Sequence, residues 1–134
     1  MIKTLFIGNF KAFAKTQAIP VKPITLIFGA NSAGKSSIIH SLALLHEALN
    51  TGELDIFRTR LGGSSIDLGG FRQYIHRRQA NRRMDLRLTL NTAKFQGRLK
   101  ELLDPTKEIT TAVTVGMPLD DQDKPMQGKG PHVI

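Results

Sequence analysis

Cysteine and tryptophan are absent from the 134 residues, tyrosine occurs once, and no apolar run approaches the length of a membrane span. The missing cysteines exclude disulfides and thiolate metal sites and agree with a reducing compartment. The amino-terminal MIKTLFIGNFKAF has no apolar core followed by a small-residue cleavage site, so the expectation is a cytoplasmic protein without membrane contact. The four histidines are scattered. His40 and His46 stand six apart on a predicted helix and so on different faces, which argues against a shared metal. Acidic residues are scarce in one place: between Arg72 and Lys100 stand seven Arg and two Lys against one Asp, whereas the other ten basic residues are matched by ten acidic ones.

That one segment therefore carries the whole net charge of +8. A concentrated basic patch is the electrostatic footprint of a polyanion, and DNA or RNA held through Arg72, Arg77, Arg78, Arg82 and Arg83 is one expectation. A solvated face and a docking surface for an acidic protein are the others. With 40% hydrophobic and 22% charged residues the composition is that of an ordinary globular chain. At this length one modest domain buries about two thirds of its unfolded surface.

Residues 1–8 and 12–19 read as strands with mixed faces, separated near Gly8, Asn9 and Phe10 by a turn. Residues 24–28, ITLIF, are apolar apart from Thr25 and are bounded by Pro23 and Gly29, the pattern of a central strand covered on both faces. From Lys35 to Asn50 the residues Ile38, Ile39, Leu42, Leu45 and Leu49 recur at helical spacing, with Ser37, His40 and Ser41 off the stripe and Leu44 an exception to it. Asn50, Thr51 and Gly52 supply a stop. Residues 52–70 read as a loop-rich excursion, 71–83 as a short basic helix, and 84–90 as a strand with one wet face. Residues 109–115 are a further strand candidate, and His132, Val133 and Ile134 look like the start of another.

Between the predicted strand and helix lies GANSAGKSS, which fits GxxxxGK[ST], a pattern with chance odds on the order of one in a hundred at this length and average glycine usage. A triphosphate needs many donors at close range, and backbone amides converge on it only where side chains are out of the way. Gly29 allows a sharp exit from the strand, and Gly34 allows close approach to the phosphates. The amides of Asn31, Ser32, Ala33, Gly34, Lys35 and Ser36 form the expected cradle, entered through Ala30. Lys35 is expected to reach the β- and γ-phosphates, Ser36 to ligate Mg²⁺, and Ser37 to donate to the α-phosphate.

IGNFKAF, then GANSAGKSSIIHSLALL, and later SSIDLGGFRQYIHRR together resemble the amino-terminal ATPase lobe of the RecF, SMC and OLD-nuclease type, related to ABC-transporter heads. The last segment is similar to one in bacterial AAA-type members, some of them anti-phage defence ATPases. The resemblance spans residues 2–90. It implies an α/β fold: the amino-terminal lobe of a P-loop NTPase head, with a mixed sheet that includes an antiparallel portion, in an incomplete domain. Residues 1–134 are then one partial head, with strands, Walker A and helix in 1–50 and a loop-rich basic segment and antiparallel strands in 51–134. It further implies ATP with Mg²⁺ as cofactors, head-to-head dimerisation, and service in DNA maintenance or phage defence. In relatives the positions of Asn9, Phe10 and Lys11 border the base; a structural turn explains them as well.

The chain departs from that family where hydrolysis is concerned. The nearest Walker B candidate, MPLDD ending in Asp120 and Asp121, contains Pro118 and no following Glu. Leu61, Gly62 and Gly63 only mimic a signature loop. Gln73, then Gln96, are candidates for the Mg²⁺-sensing glutamine. The resemblance thus implies a lobe that binds ATP better than it hydrolyses it. The alternative is a basic nucleic-acid-binding module or regulatory fragment with a vestigial phosphate loop. A nucleotide or small-molecule kinase sharing the loop needs an acceptor lid, and the NFK and DLGGF segments argue against it.

Overall fold

The computed structural model describes residues 1–31, 33–51, 60–61, 66–67, 70–103, 106–127, 129 and 132–133. Its frame is a five-stranded antiparallel sheet in the order β2 (Gln17–Pro20), β1 (Ile2–Gly8), β5 (Met84–Asn91), β6 (Glu108–Gly116), β7 (His132–Val133). Two short strands, β3 (Arg60–Leu61) and β4 (Ile66–Asp67), pair separately. Helix α1 spans Lys35–Thr51, α2 Phe71–Tyr74 and α3 Arg98–Leu103. Every described strand pair is antiparallel.

Alternation along the central strands sets the core. Leu5 lies opposite Leu88 and Ile7 opposite Leu86, and Val115 of β6 lies opposite Met84. All six are buried, while Arg87 between two of them is exposed. This is the period-two pattern of a sheet with one covered face. Phe10, Phe71, Tyr74 and Ile75 extend the same cluster, with Tyr74 ringed by Phe10 at 5.8 Å and Phe71 at 5.6 Å. Leu44 and Leu45 of α1 complete it.

The expected strands at 1–8, 84–90 and 109–115 match β1, β5 and β6 to within a residue or two, and the helix runs as read. Three expectations need correction. The stretch 12–19 is strand only from Gln17 onward. The basic helix at 71–83 breaks after Tyr74: Ile75 is extended, and His76–Arg78 form a 3₁₀ turn in which Arg77 and Arg78 have φ of 52° and 57°. The largest correction concerns 24–28. This stretch is not a strand, and Ile24 and Phe28 are 81% and 84% exposed. A strand exists only through a neighbour's backbone hydrogen bonds, and no described strand pairs with this stretch.

The buried face of α1 is also rotated from the expected stripe. Ser37, Ser41, Leu44 and Leu45 are buried, Ile38 and Leu42 flank them, and Ile39 is 58% exposed. The spacing of four, three and one is itself a helical face. Ser41 is tolerated inside because its hydroxyl donates to the Ile38 carbonyl at 2.8 Å. The side chain of Leu49, and residues Gly52, Gly62 and Gly63, lie outside the described residues.

Candidate functional site

The sheet ends where the site begins. β1 delivers the chain at Gly8 into a tight turn in which Phe10 and Phe13 exchange backbone hydrogen bonds of 3.0 and 2.8 Å. Asn9 and Lys11 take left-handed φ values of 53° and 45° to make it. The turn packs directly on the glycine loop: a Cβ added to Gly34, whose φ is 98°, would stand 3.2 Å from Ala12 Cβ and 3.3 Å from the Phe13 ring. Glycine is required there on both counts. Gly29, at φ 153°, opens the same loop.

Helix α1 starts at Lys35 directly after Gly34, and the Ile38 amide donates to the Gly34 carbonyl at 3.2 Å. The first-turn amides of an α-helix have no intrahelical acceptor and carry the positive end of its dipole. The first turn here contains no acidic residue to offset that charge. The Lys35 ammonium reaches back over the loop and donates to the carbonyls of Gly29 at 2.8 Å and Ala30 at 2.6 Å. Ser36 is exposed and Ser37 buried. Asn31, Gly34, Lys35, Ser36 and Ser37 line a cavity of about 330 Å³, within the range of small-ligand pockets. A cradle that a Cβ would fill, an ammonium, two hydroxyls and a helix amino terminus fit a magnesium-bound polyphosphate. Ser32, also expected in this loop, lies outside the described residues.

A larger hollow of about 530 Å³, lined by Asn91, Thr92, Ala93, Lys100, Leu103, Thr106 and Lys107, lies at the opposite end of β5 from Met84. The described residues that line it include neither the glycine loop nor a carboxylate. Among the described residues no three His, Asp or Glu side chains form a metal-binding group, and no described helix is long and apolar enough to cross a membrane.

The other candidate residues are dispersed. Phe10 is fully buried in the core, and the buried Asn9 amide donates to the Arg83 carbonyl at 2.9 Å, so both are structural in this turn. Gln73 is exposed in α2, its backbone N–H donating to the Gly70 carbonyl, and Gln96 is exposed between β5 and α3. Asp120 accepts from the amides of Gln122 and Lys124, each at 2.9 Å, and so organises a surface turn rather than ending a strand. Asp121 beside it is exposed. Arg72, Arg77, Arg78, Arg82 and Arg83 are all exposed.

Sequence reasoning missed two histidines. His40, on α1 one turn beyond Ser36, lies with its Nδ1 2.7 Å from the Lys11 ammonium, which donates to it. His76 donates from Nδ1 to the Lys11 carbonyl at 2.7 Å. No local signal marks either pairing, since the partners are 29 and 65 residues apart. The His40 pKa lies below the usual imidazole range, first because burial disfavours the charged ring and then because the Lys11 ammonium faces it. Burial likewise lowers the Lys11 pKa.

A pH dependence follows with a definite sign. The unfolded imidazole binds a proton near pH 6.5, the folded one only below that, so the unfolded state takes up more protons as the solution is acidified. This contribution is complete above about pH 6.5 and is lost as pH falls through the window beneath it. Thermal midpoints measured across that window should fall more steeply for the wild type than for His40→Gln. Parallel curves for the two would show that the ring titrates alike in both states.

The sequence profile of a family described as an AAA domain matches residues 4–115. No curated protein matches the chain.

Proposed function

Given that the chain belongs to the AAA-domain family, whose function is of the ATPase nucleotide-binding type, we propose that it binds Mg-ATP through Gly29, Ala30, Asn31, Ser32, Ala33, Gly34, Lys35, Ser36 and Ser37. The observation that carries this reading is the joint geometry of Gly34 and Lys35: a left-handed glycine pressed by Phe13, followed at once by a helix start and an ammonium folded over the same loop. Lys35 would exchange the Gly29 and Ala30 carbonyls for phosphate oxygens, the amides at the helix start would hold the remaining oxygens, and Ser36 would ligate the metal. When bound, Mg²⁺ neutralises phosphate charge and fixes the orientation of the terminal phosphoryl group.

The finer reading is an ATPase head of the RecF, SMC and OLD-nuclease type in DNA maintenance or phage defence, acting as a head-to-head dimer. Residues 1–134 then form a partial head. One observation supports this: the apolar 24–28 stretch is exposed and belongs to no described strand, a position at which a complete head would add strands. Nucleotide would be bound here and turned over only with groups supplied from elsewhere.

The test is a titration with fluorescent ATP, with and without Mg²⁺. Mg²⁺ should tighten binding to the wild type, and Ser36→Ala should lose most of that gain while still binding the metal-free nucleotide. An equal response to Mg²⁺ in the variant would remove Ser36 from the metal site.

A second reading, a nucleic-acid-binding module, is favoured by one observation: residues 71–84 present five exposed arginines and no acidic residue. Its signature is affinity for DNA that falls linearly in log salt.

A further inference from the structure

The hollow of about 530 Å³ beyond the end of β5 has walls tied to one another by hydrogen bonds. Asn91 closes β5 and its Oδ1 accepts from the Ala93 amide at 2.8 Å, which fixes the 3₁₀ turn Thr92–Lys94. The Thr92 amide donates to the Lys107 carbonyl at 3.1 Å and its hydroxyl to the Thr106 carbonyl, so the turn is joined to the start of β6. The Thr106 amide in turn donates to the Leu103 carbonyl at the end of α3. Thr92 is buried in this junction. A hollow whose walls are bonded in this way is formed before any ligand enters.

The polar side-chain groups left over on the lining residues are of one kind. Asn91 has spent its oxygen on Ala93, which leaves its amide hydrogens, and the Lys100 and Lys107 ammoniums have no hydrogen-bond or ion-pair partner among the described residues. Each ammonium has three donors and no acceptor. Glu108, next after Lys107, is bonded to Lys3, and the described lining includes no carboxylate. Leu103 and Ala93 add apolar surface. The lining therefore combines two unneutralised cations and an amide donor with a hydrophobic wall, within the size range of small-ligand pockets.

We propose that this hollow binds a small phosphate monoester, its phosphate held by Lys100 and Lys107 with the Asn91 amide, and its apolar body against Leu103. Two ammoniums match the charge of a dianion. A planar carboxylate is gripped best by the fork of an arginine, whereas lysine binds phosphate as a point charge. Inorganic phosphate alone would leave most of the volume and the Leu103 wall uncovered. The hollow is also distinct from the glycine loop. Gly8, which leads toward that loop, pairs with Asp85 at one end of β5, and Asn91 stands at the other. The eight residues of β5 span about 25 Å, so the two sites can be filled together. The inference goes beyond the Mg-ATP reading and stands whether or not that reading does.

The experiment titrates the full chain with phenyl phosphate at low salt without Mg²⁺, by calorimetry and by amide shifts in ¹⁵N-labelled protein. Saturable binding is expected, with shifts at Thr92, Ala93, Leu103 and Lys107, and it should persist in Lys35→Ala. The double variant Lys100→Gln, Lys107→Gln should bind about tenfold or more weakly, since it loses two charge-assisted contacts. Both lysines are exposed, so the variant should melt as the wild type does. Inorganic phosphate and benzoate should each bind more weakly than phenyl phosphate. Absence of saturable binding overturns the proposal, as does binding that survives the double variant or vanishes in Lys35→Ala. Equal affinity for inorganic phosphate overturns the role of the Leu103 wall, and equal affinity for benzoate overturns the choice of phosphate over carboxylate. Failure of the Mg-ATP reading is separately visible, in the ATP titration.

Discussion

Gly34→Val is expected to lower stability by about 2 to 6 kcal/mol and to abolish nucleotide binding. One part is conformational: at φ 98° a β-branched residue is strained, and a sparsely populated backbone state adds about 1 to 3 kcal/mol. The other is steric. The first carbon of the new side chain would stand 3.2 Å from Ala12 Cβ and 3.3 Å from the Phe13 ring, and forcing methyl groups into a packed site adds about 1 to 3 kcal/mol more. Since whole domains are stable by only about 5 to 15 kcal/mol, the variant should melt well below the wild type. Gly34→Ala should fall at the lower end of the same range. Chemical denaturation and an ATP titration on both variants check this. A wild-type midpoint in Gly34→Val would show that the 9–13 turn yields freely and is no wall of the loop.

Lys35→Ala should weaken Mg-ATP binding at least about tenfold, because a hydrogen bond to a charged partner contributes about 1.5 to 3 kcal/mol and each 1.4 kcal/mol is a factor of ten. Lys35 also donates to Gly29 and Ala30, so the loop of the variant loses two internal bonds as well. Lys35→Arg separates the effects: it keeps the charge and can keep a carbonyl bond while changing the reach. Exposed Lys94→Ala serves as the control for a general change in charge and should bind as the wild type does. Unchanged affinity in Lys35→Ala would mean that the polyphosphate is held elsewhere or not at all.

The glycine loop was legible because its requirements are local. Gly29 and Gly34 stand where the backbone takes positive φ, and Lys35 and Ser36 open a helix, all within nine residues. The strands at 2–8, 84–91 and 108–116 were legible for the same reason, since alternation of period two is written along each strand. What was misread depends on neighbours. Residues 24–28 have the composition of a central strand, yet strand pairing is a property of two segments, and no described strand pairs with this one. Ile39 fits the helical stripe and Leu44 does not, and only the packing of α1 in the core decides that Leu44 goes inside and Ile39 stays exposed.

The sequence by itself therefore determined the glycine loop with its Lys35 and Ser36, the helix behind it, the strands of the antiparallel sheet and the concentration of arginine in residues 72–83. Each is governed by backbone preference or by charge counted along a short stretch. The tertiary structure alone decided that the basic turn breaks the helix at Tyr74, that His76 is fastened to Asn9 and Lys11, and that Phe13 closes on Gly34. Those contacts join segments tens of residues apart, where hydrogen-bond geometry and burial choose the partners.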